Sequence, residues 1–563
     1  SRKQIDEMGA VDFNEVLKSV PDINLTRSGP LGQQASLFMR GTNSNHTLVM
    51  INGIPINDQS TTQGLHDFGV DFVQTIHQIE IFPGSSGTHF GTNAIGGAIN
   101  IILTGDYKDS ISLTSDKNAN YEFLGNKTFV YNDSSINFKL GTVNNKTISV
   151  KGSSEDEKDG VKNYSANINY EKYLNNSSRL FNTIYLRQTL TEYDNSISNQ
   201  TGYEGDNKMA SYQIGIENKE PLIKNKYVLY YNVYDREYDE RGIIDNYYSN
   251  VIGLKYDISR TLNDQFSVGF GSDYKYDWGD FTNNGSYNSS SEGYSDNLAF
   301  YGNLGWNVLD NSNISLFLRN DTHKQGGSNS TYKINFNQNL SKLNFGVSYA
   351  TGLRNPTLYE LFGSDSSGYL GNDNLKAEKS NTYEVYSNLY LNKNLNLNIR
   401  AFRSNIKNNI EYIEQRYKND SDNVDLNQSG INSQINYSYK NTSLSFFTSF
   451  LSAKKENSSD QLRRPEKNYG ATISKEMRVP YIGDFNLNIA YNHYGKHFDT
   501  HSSNWSTIEM DSTDLVDLKL SKNAAIGNYF LKISNLLDEN YQRPHGYNRE
   551  ERRINVGFKR SYW

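Results

Sequence analysis

Residues Gly87–Ile102 read GTHFGTNAIGGAINII, a glycine-rich and almost uncharged stretch in a chain otherwise dominated by Asn, Ser, Tyr, Lys and Asp. Three readings compete for it: a phosphate-cradling loop, a membrane segment, or backbone that packs where side chains would not fit. A phosphate loop needs G-x-x-x-x-G-K-[ST], because its lysine meets the phosphate. Gly91 and Gly96 have that spacing, but Gly97 and Ala98 stand where Lys and Ser/Thr belong. A membrane helix needs roughly 18 or more apolar residues in succession, and the chain has no such run. The glycines are left to permit tight turns and close backbone approach in a crowded space.

The composition says what that space is. Only 36% of the 563 residues are hydrophobic, mean hydropathy is −0.73 and Pro is scarce at 9. Such polarity suits disorder, yet 42 Tyr and 26 Phe argue against it, since disordered chains are poor in aromatics. Cys is absent, which excludes disulfides and thiolate metal sites. Net charge is −7 with basic residues dispersed, so nothing points to nucleic acid. A transmembrane β-barrel alternates lipid-facing apolar residues with lumen-facing polar ones, which keeps its average hydropathy low.

The chain divides near residue 105. Before it, DFNEVLKSVPDI reads as helical and leads into short strands such as HTLVMING and QIEIF, giving an α+β domain over 1–105. After it, period-two segments recur through 106–563. Leu395, Leu397, Ile399 and Ala401 alternate with Asn396, Asn398 and Arg400; Leu343, Phe345, Val347 and Tyr349 share one parity, as do Phe485, Leu487, Ile489 and Tyr491. A propeller or a string of sandwiches would need more Pro and Gly punctuation and more Val, Ile and Leu. At roughly 20 residues per strand and connection, the region holds about 22 antiparallel strands. A barrel of that size encloses a lumen that a small domain can plug. In the last strand Ile554, Val556, Phe558 and Tyr562 share a parity, interrupted by Arg560, and Trp563 ends the chain.

LKSVPDINLTRSGPLGQQASLFMRGTNSNHTLVMINGIPIND and FGTNAIGGAINII resemble plug segments of the TonB-dependent outer-membrane receptors. ATGLRNPTLYELFG, GNDNLKAEKSNTYEVY and ISNLLDENYQRPHGYN resemble barrel segments of the same family, most closely of its cobalamin (vitamin B12) transporters. The resemblance implies a bacterial outer-membrane receptor that binds a corrinoid at the cell surface and imports it using TonB-coupled energy. Its partners would be the corrinoid, TonB and outer-membrane lipid, with a surface lipoprotein as a further candidate. Pro83-Gly84-Ser85 stands where the family carries Arg-Gly-Pro, so an expected plug arginine is missing, whereas Arg40 is kept. No secretion signal or TonB-engaging segment is read here, so energised transport rests on the resemblance.

The resemblance also points to two plug loops, Pro30–Ser36 and Asp58–Gln63, as the floor of the binding site. Their candidate contacts are Leu31, Gln33, Gln34, Asp58, Gln59, Ser60, Thr61, Thr62 and Gln63. Apart from Asp58 and Leu31 these offer amides and hydroxyls, which suit an amide-edged corrin better than an anionic ferric siderophore, which favours Arg and Lys. Asp156, Glu157, Asp159, Asp194 and Asp206 form a candidate calcium set. Asp159 and Asp194 lie about two strand lengths apart, which returns the chain to one rim, and hard oxygen ligands suit calcium. The spacing of Asp159, Asp194 and Asp206 also resembles that of the family's acidic calcium ligands. The alternative is a solvated acidic loop.

No catalytic constellation is present: neither G-x-S-x-G nor H-E-x-x-H occurs, and the chain is not expected to be an enzyme. His493, His497 and His501 cluster near one hairpin, but Thr357–Asn372, where haem receptors of the family carry a histidine, has none. Ferric siderophore and haem uptake remain alternatives within the family. A passive porin or an adhesin are alternatives outside it; a porin would lack the plug.

Overall fold

The computed structural model describes all residues except 106–107, 152–156, 195–200, 285–287, 365–368, 415, 420–424 and 563. Twenty-two antiparallel strands close into one barrel, from Ser110–Asp116 round to Arg553–Ser561, and those two strands pair with each other. The strand count matches the expectation from chain length. Among the described residues no helix is long and apolar enough to cross a membrane; this chain crosses with strands.

Period two decides which way each side chain points. Val347, Val385, Ala401, Ile431 and Phe450 stand side by side in register on five successive strands. They belong to the outward parity, where Val385 is 55% exposed to what would be lipid. On the inward parity of the strand Gly160–Tyr173, Asn163, Ser165, Asn167 and Asn169 are all buried. The polar half of the alternation therefore lines the lumen, and the final strand follows the same rule, with Ile554 and Val556 exposed.

The two rims differ. One carries two-residue turns at 132–133, 310–311, 393–394, 440–441 and 525–526; the other carries the long connections 147–159, 355–377, 408–425, 495–512 and 535–552. Outer-membrane barrels have short turns on the periplasmic side and long loops outside, which sets the inner and outer faces used below.

The lumen is filled by the first hundred residues. Helices α1 (Arg2–Met8) and α2 (Phe13–Leu17) precede a hairpin of β1 (Ile23–Arg27) and β2 (Ala35–Met39). A four-stranded sheet follows, in spatial order β4 (Ile54–Pro55), β3 (Thr47–Ile51), β6 (Gly97–Ile102), β5 (Gln78–Pro83). The glycine-rich stretch 87–102 spans the short helix α3 (Gly87–Phe90) and β6. At Gly96 an added Cβ would collide with Thr42 Oγ1, and at Gly97, where φ is +149°, with Met39 Sδ and the Phe82 carbonyl. These glycines let β6 run parallel beside β3 at the centre of the sheet. Phe13, Leu17, Leu37, Met39, Val49, Ile51, Ile99 and Ile101 form the plug's core.

The barrel wall satisfies the plug's backbone. Lys139 Nζ donates to the carbonyls of Thr75 (3.0 Å) and Leu103 (3.1 Å), Gln213 to Ile51 (2.9 Å), and Asn232 to Pro55 (2.9 Å). Polar lumen side chains thus do for the plug what water does for a free domain.

Replacing Val385 by Arg puts a cation on the lipid face at mid-strand. A loss of about 2–4 kcal/mol is expected, read from denaturant unfolding in liposomes; Asn167→Ser, on the lumen parity, should cost well under half of that.

Candidate functional site

The outer mouth is built from three pieces: the plug loops, a wall of tyrosines, and a carboxylate cluster at one edge. The plug loops divide into buried and accessible parts. Leu31 is buried against Val11, Phe72, Val143 and Val161, and Gln33 Nε2 donates to the Glu192 carbonyl at 2.6 Å. Asp58 is buried and pairs with Arg236 at 2.9 Å; it also accepts from Ser60 Oγ at 2.7 Å and Ser249 Oγ at 2.9 Å. Gln59 and Ser60 are buried as well. Gln34 and Thr62 are exposed, Thr61 and Gln63 partly so. Of the nine candidate contacts, Gln34, Thr61, Thr62 and Gln63 reach the opening, while the buried members hold the loops in place.

Arg354 fixes the other side of the mouth. It is fully buried and forked between two carboxylates: Glu360 at 2.9 and 3.1 Å, Glu378 at 2.6 and 3.0 Å. Glu378 also meets His46 Nε2 of the plug at 2.8 Å. Two anions around one bidentate guanidinium satisfy charges that would otherwise be costly to bury. Glu360 lies in helix α4 (Leu358–Phe362). The N-cap Thr357 accepts from the Glu360 N–H while Glu360 accepts from the Thr357 N–H, a reciprocal capping box. The residues that carried the family resemblance here, Arg354, Glu360 and Glu378, are those that dock the 355–377 loop on the barrel.

An aromatic arc runs from the mouth into a buried loop cluster. Tyr193 lies 5.8 Å from Tyr203 and 6.1 Å from Tyr238, and Tyr238 lies 6.0 Å from Tyr247. Tyr247 packs against a loop cluster in which Phe281 meets Tyr359 (5.4 Å), Tyr359 stacks on Tyr369 (5.2 Å), and Tyr369 meets Tyr417 (5.5 Å). Arg236, the partner of Asp58, sits 5.0 Å from the Tyr247 ring. Sequence reasoning missed this arc. Its only signal was the abundance of Tyr, since the members come together through barrel register and loop packing.

At the Tyr193 end, oxygens of Glu157, Asp159 and Asp194 lie within 4.8 Å of one another. The loop backbone supports them: Val150 N–H donates to Asp159 (2.6 Å) and Lys151 N–H to Asp194 (2.7 Å). Glu157 Oε1 is buried without a hydrogen-bond donor. Burial above all, then the hydrogen bond and charge of Asp194, push Glu157 up to about 7; burial, with Asp194 and Glu192 nearby, pushes Asp159 up to about 6. An acceptor without a donor among converging carboxylates fits an oxygen-loving cation. Asp206 does not join them. It sits in the strand Tyr203–Lys219, where Gly205 and Asn207 are the inward, buried positions, and on the outward parity it binds Gln188 and Lys208 instead. Asp156 lies outside the described residues. The histidines disperse: His493 binds Asp514 at 2.8 Å, while His501 faces His545, with ring centroids 4.4 Å apart.

A closed 22-stranded barrel with a lumen-filling plug and long loops on one rim is the architecture of an outer-membrane receptor. The chain belongs to the TonB-dependent receptor family. The model described as "TonB-dependent Receptor Plug Domain" matches residues 1–98, and "TonB dependent receptor-like, beta-barrel" matches residues 104–536. A vitamin B12 transporter, BtuB, from Photobacterium profundum is 26% identical, covering 98% of this chain and 90% of its own. Among solved structures, the siderophore receptor PirA from Acinetobacter baumannii superposes with a TM-score of 0.84 at 15% identity, covering 100% of this chain and 98% of its own. The ferric yersiniabactin uptake receptor FyuA from Yersinia pestis gives 0.81 at 14%, covering 100% and 97%. At such identities the two structures speak for the fold alone.

Asp58→Ala would strand Arg236 as a buried, unpaired cation and should cost about 3–5 kcal/mol in unfolding experiments. Thr62→Ala, at the exposed tip of the same loop, should stay within about 0.5 kcal/mol.

Proposed function

We propose that this receptor captures a corrinoid of the cobalamin class at its outer mouth and passes it to the periplasm when TonB acts on the plug. The observation that carries the reading is the chemistry of the mouth. Its accessible floor offers the amides and hydroxyl of Gln34, Thr62 and Gln63, and its wall offers the half-buried rings of Tyr193, Tyr203, Tyr238 and Tyr247. Among the arginines beside it, Arg236 and Arg354 are already bound to Asp58 and to Glu360 and Glu378, and Arg241, 5.3 Å from the Tyr203 ring, donates to the Thr201 carbonyl. A strongly anionic ferric siderophore would call for free cations; a bulky, amide-edged ligand calls for neutral donors, acceptors and apolar surface. The similarity to a vitamin B12 transporter agrees with this reading.

Calorimetry against cobalamin, cobinamide, haem and ferric enterobactin tests it directly. Cobalamin should bind, and Thr62→Ala with Gln63→Ala should weaken it by about 1 kcal/mol for each hydrogen bond lost. Tight binding of ferric enterobactin or haem without cobalamin would move the protein to another branch of its family.

A calcium ion held by Glu157, Asp159 and Asp194 belongs to the same proposal. These residues would hold it, and the ion would tie the 147–159 connection to the segment after Glu192, beside Gln33 of the plug. Carboxyls raised in the folded state keep protons that the unfolded chain has released. The ion-free protein therefore loses stability as pH rises from about 4 to about 7. A cation replaces those protons, so its affinity should strengthen over the same interval. Calcium titrations at about pH 5 and about pH 7 should show tighter binding at the higher value, and Asp194→Asn should weaken it at both. Affinity indifferent to pH and to that substitution would leave a solvated acidic loop.

A further inference from the structure

On the inner face a cavity of about 1080 Å³ opens around α1, at the upper limit of the roughly 300–1,000 Å³ of small-molecule sites. Its two walls differ in chemistry. On one side the last three strands grip the plug through lysines. Lys519 donates to the Asp6 carbonyl, Lys532 to the Gly9 carbonyl (2.8 Å) and Glu15 (2.7 Å), and Lys559 to the Asp6 carboxylate. On the other side, strands Leu426–Tyr439, Thr442–Lys455, Lys467–Val479 and Gly483–Tyr494 present Gln434, Asn436, Ser445, Ser474 and Asn488, with the charged Lys440, Lys475 and Glu476 confined to the rim beside the turn 440–441. These neutral groups bond across the strands to one another: Gln434 to Ser445 at 3.0 Å, Ser445 to Asn436 at 2.9 Å, Asn488 to Ser474 at 2.8 Å.

We infer that this amide-and-hydroxyl wall is the inner half of the ligand's route, a transit site for a neutral, polar solute between the plug and strands 426–494. The inference rests on the import function proposed above. A ligand edged with amides can exchange hydrogen bonds with such a wall step by step, since each side chain it displaces finds a partner in its neighbour. The lysine side is unsuited to this role, because its cations are committed to the plug. Above Gln434 the next inward residue, Asn432, donates to Asp22 of the plug at 2.7 Å. That contact, with Ser19 to Asn492 at 3.4 Å and Arg464 to the Gly41 and Thr42 carbonyls at 3.2 and 3.3 Å, is where plug and wall must part for the mouth to join the cavity.

The chain has no cysteine, so Asn488→Cys carries a unique thiol. The full receptor bearing it is treated with a bulky methanethiosulfonate reagent, whose disulfide a reductant removes. Outer-surface binding and energised uptake of radiolabelled cobalamin are then measured. Binding should stay within twofold, and uptake should fall at least tenfold and return on reduction. Ser474→Cys should behave alike, and Asp310→Cys, in the inner turn 310–311, should transport normally when labelled. Uptake indifferent to the labels at 474 and 488 would overturn the route. So would loss of surface binding on labelling, because the label would then act on the plug. A parent chain that imports haem or ferric enterobactin but not cobalamin sinks the ligand reading alone, and the same comparison is made with that solute.

Discussion

Inside hydrocarbon a strand cannot leave its N–H and C=O groups unpaired, because no water is there to take them. Everything else in this protein follows from meeting that demand by closure. The pairing of Arg553–Ser561 with Ser110–Asp116 removes both sheet edges at once. Closing twenty-two strands makes a lumen too wide for side chains alone to fill, and that lumen needs a plug. The plug brings its own backbone groups, and the lumen-facing Lys139, Gln213 and Asn232 meet them. The polarity of the inward parity is therefore a structural requirement before it is a transport device.

The fold was legible because period two survives in the sequence wherever one face meets lipid and the other meets the lumen. Val385 and Ala401 can be assigned to the outside from parity alone, and the strand number follows from length. What could not be read is which inward residues on different strands share a level. Tyr193, Tyr238 and Tyr247 are neighbours only through the register of their strands, and Tyr359, Tyr369 and Tyr417 only through loops folded over the mouth. Among 42 tyrosines, composition cannot single these out.

The same cause explains the candidate site. Spacing along the chain brought Glu157, Asp159 and Asp194 to one rim, and the structure places them together. Spacing also suggested Asp206, but one step of parity turns its side chain to the outward face of its strand. In the plug, the polar loop Asp58–Gln63 looked uniform. Its two ends do different work, since Asp58 is consumed by Arg236 and Ser249 whereas Thr62 stands free of the core. Burial separates a scaffold carboxylate from a contact hydroxyl, and burial depends on the partner strand.

The alternation has a consequence before the protein is folded at all. A spanning helix lodges in a bilayer when about twenty consecutive residues are predominantly apolar. Here the apolar residues of the barrel strands are repeatedly interrupted by Asn, Ser, Lys or similar polar residues, as in Leu395-Asn396-Leu397-Asn398-Ile399-Arg400. No window reaches that threshold, so the extended chain can be threaded through the cytoplasmic membrane's export machinery without being arrested there. The lipid-facing surface comes into existence only when strands pair and sort their two faces, at the second membrane. The address of the protein is in this sense written into the spacing of its hydrophobic residues, not into their number.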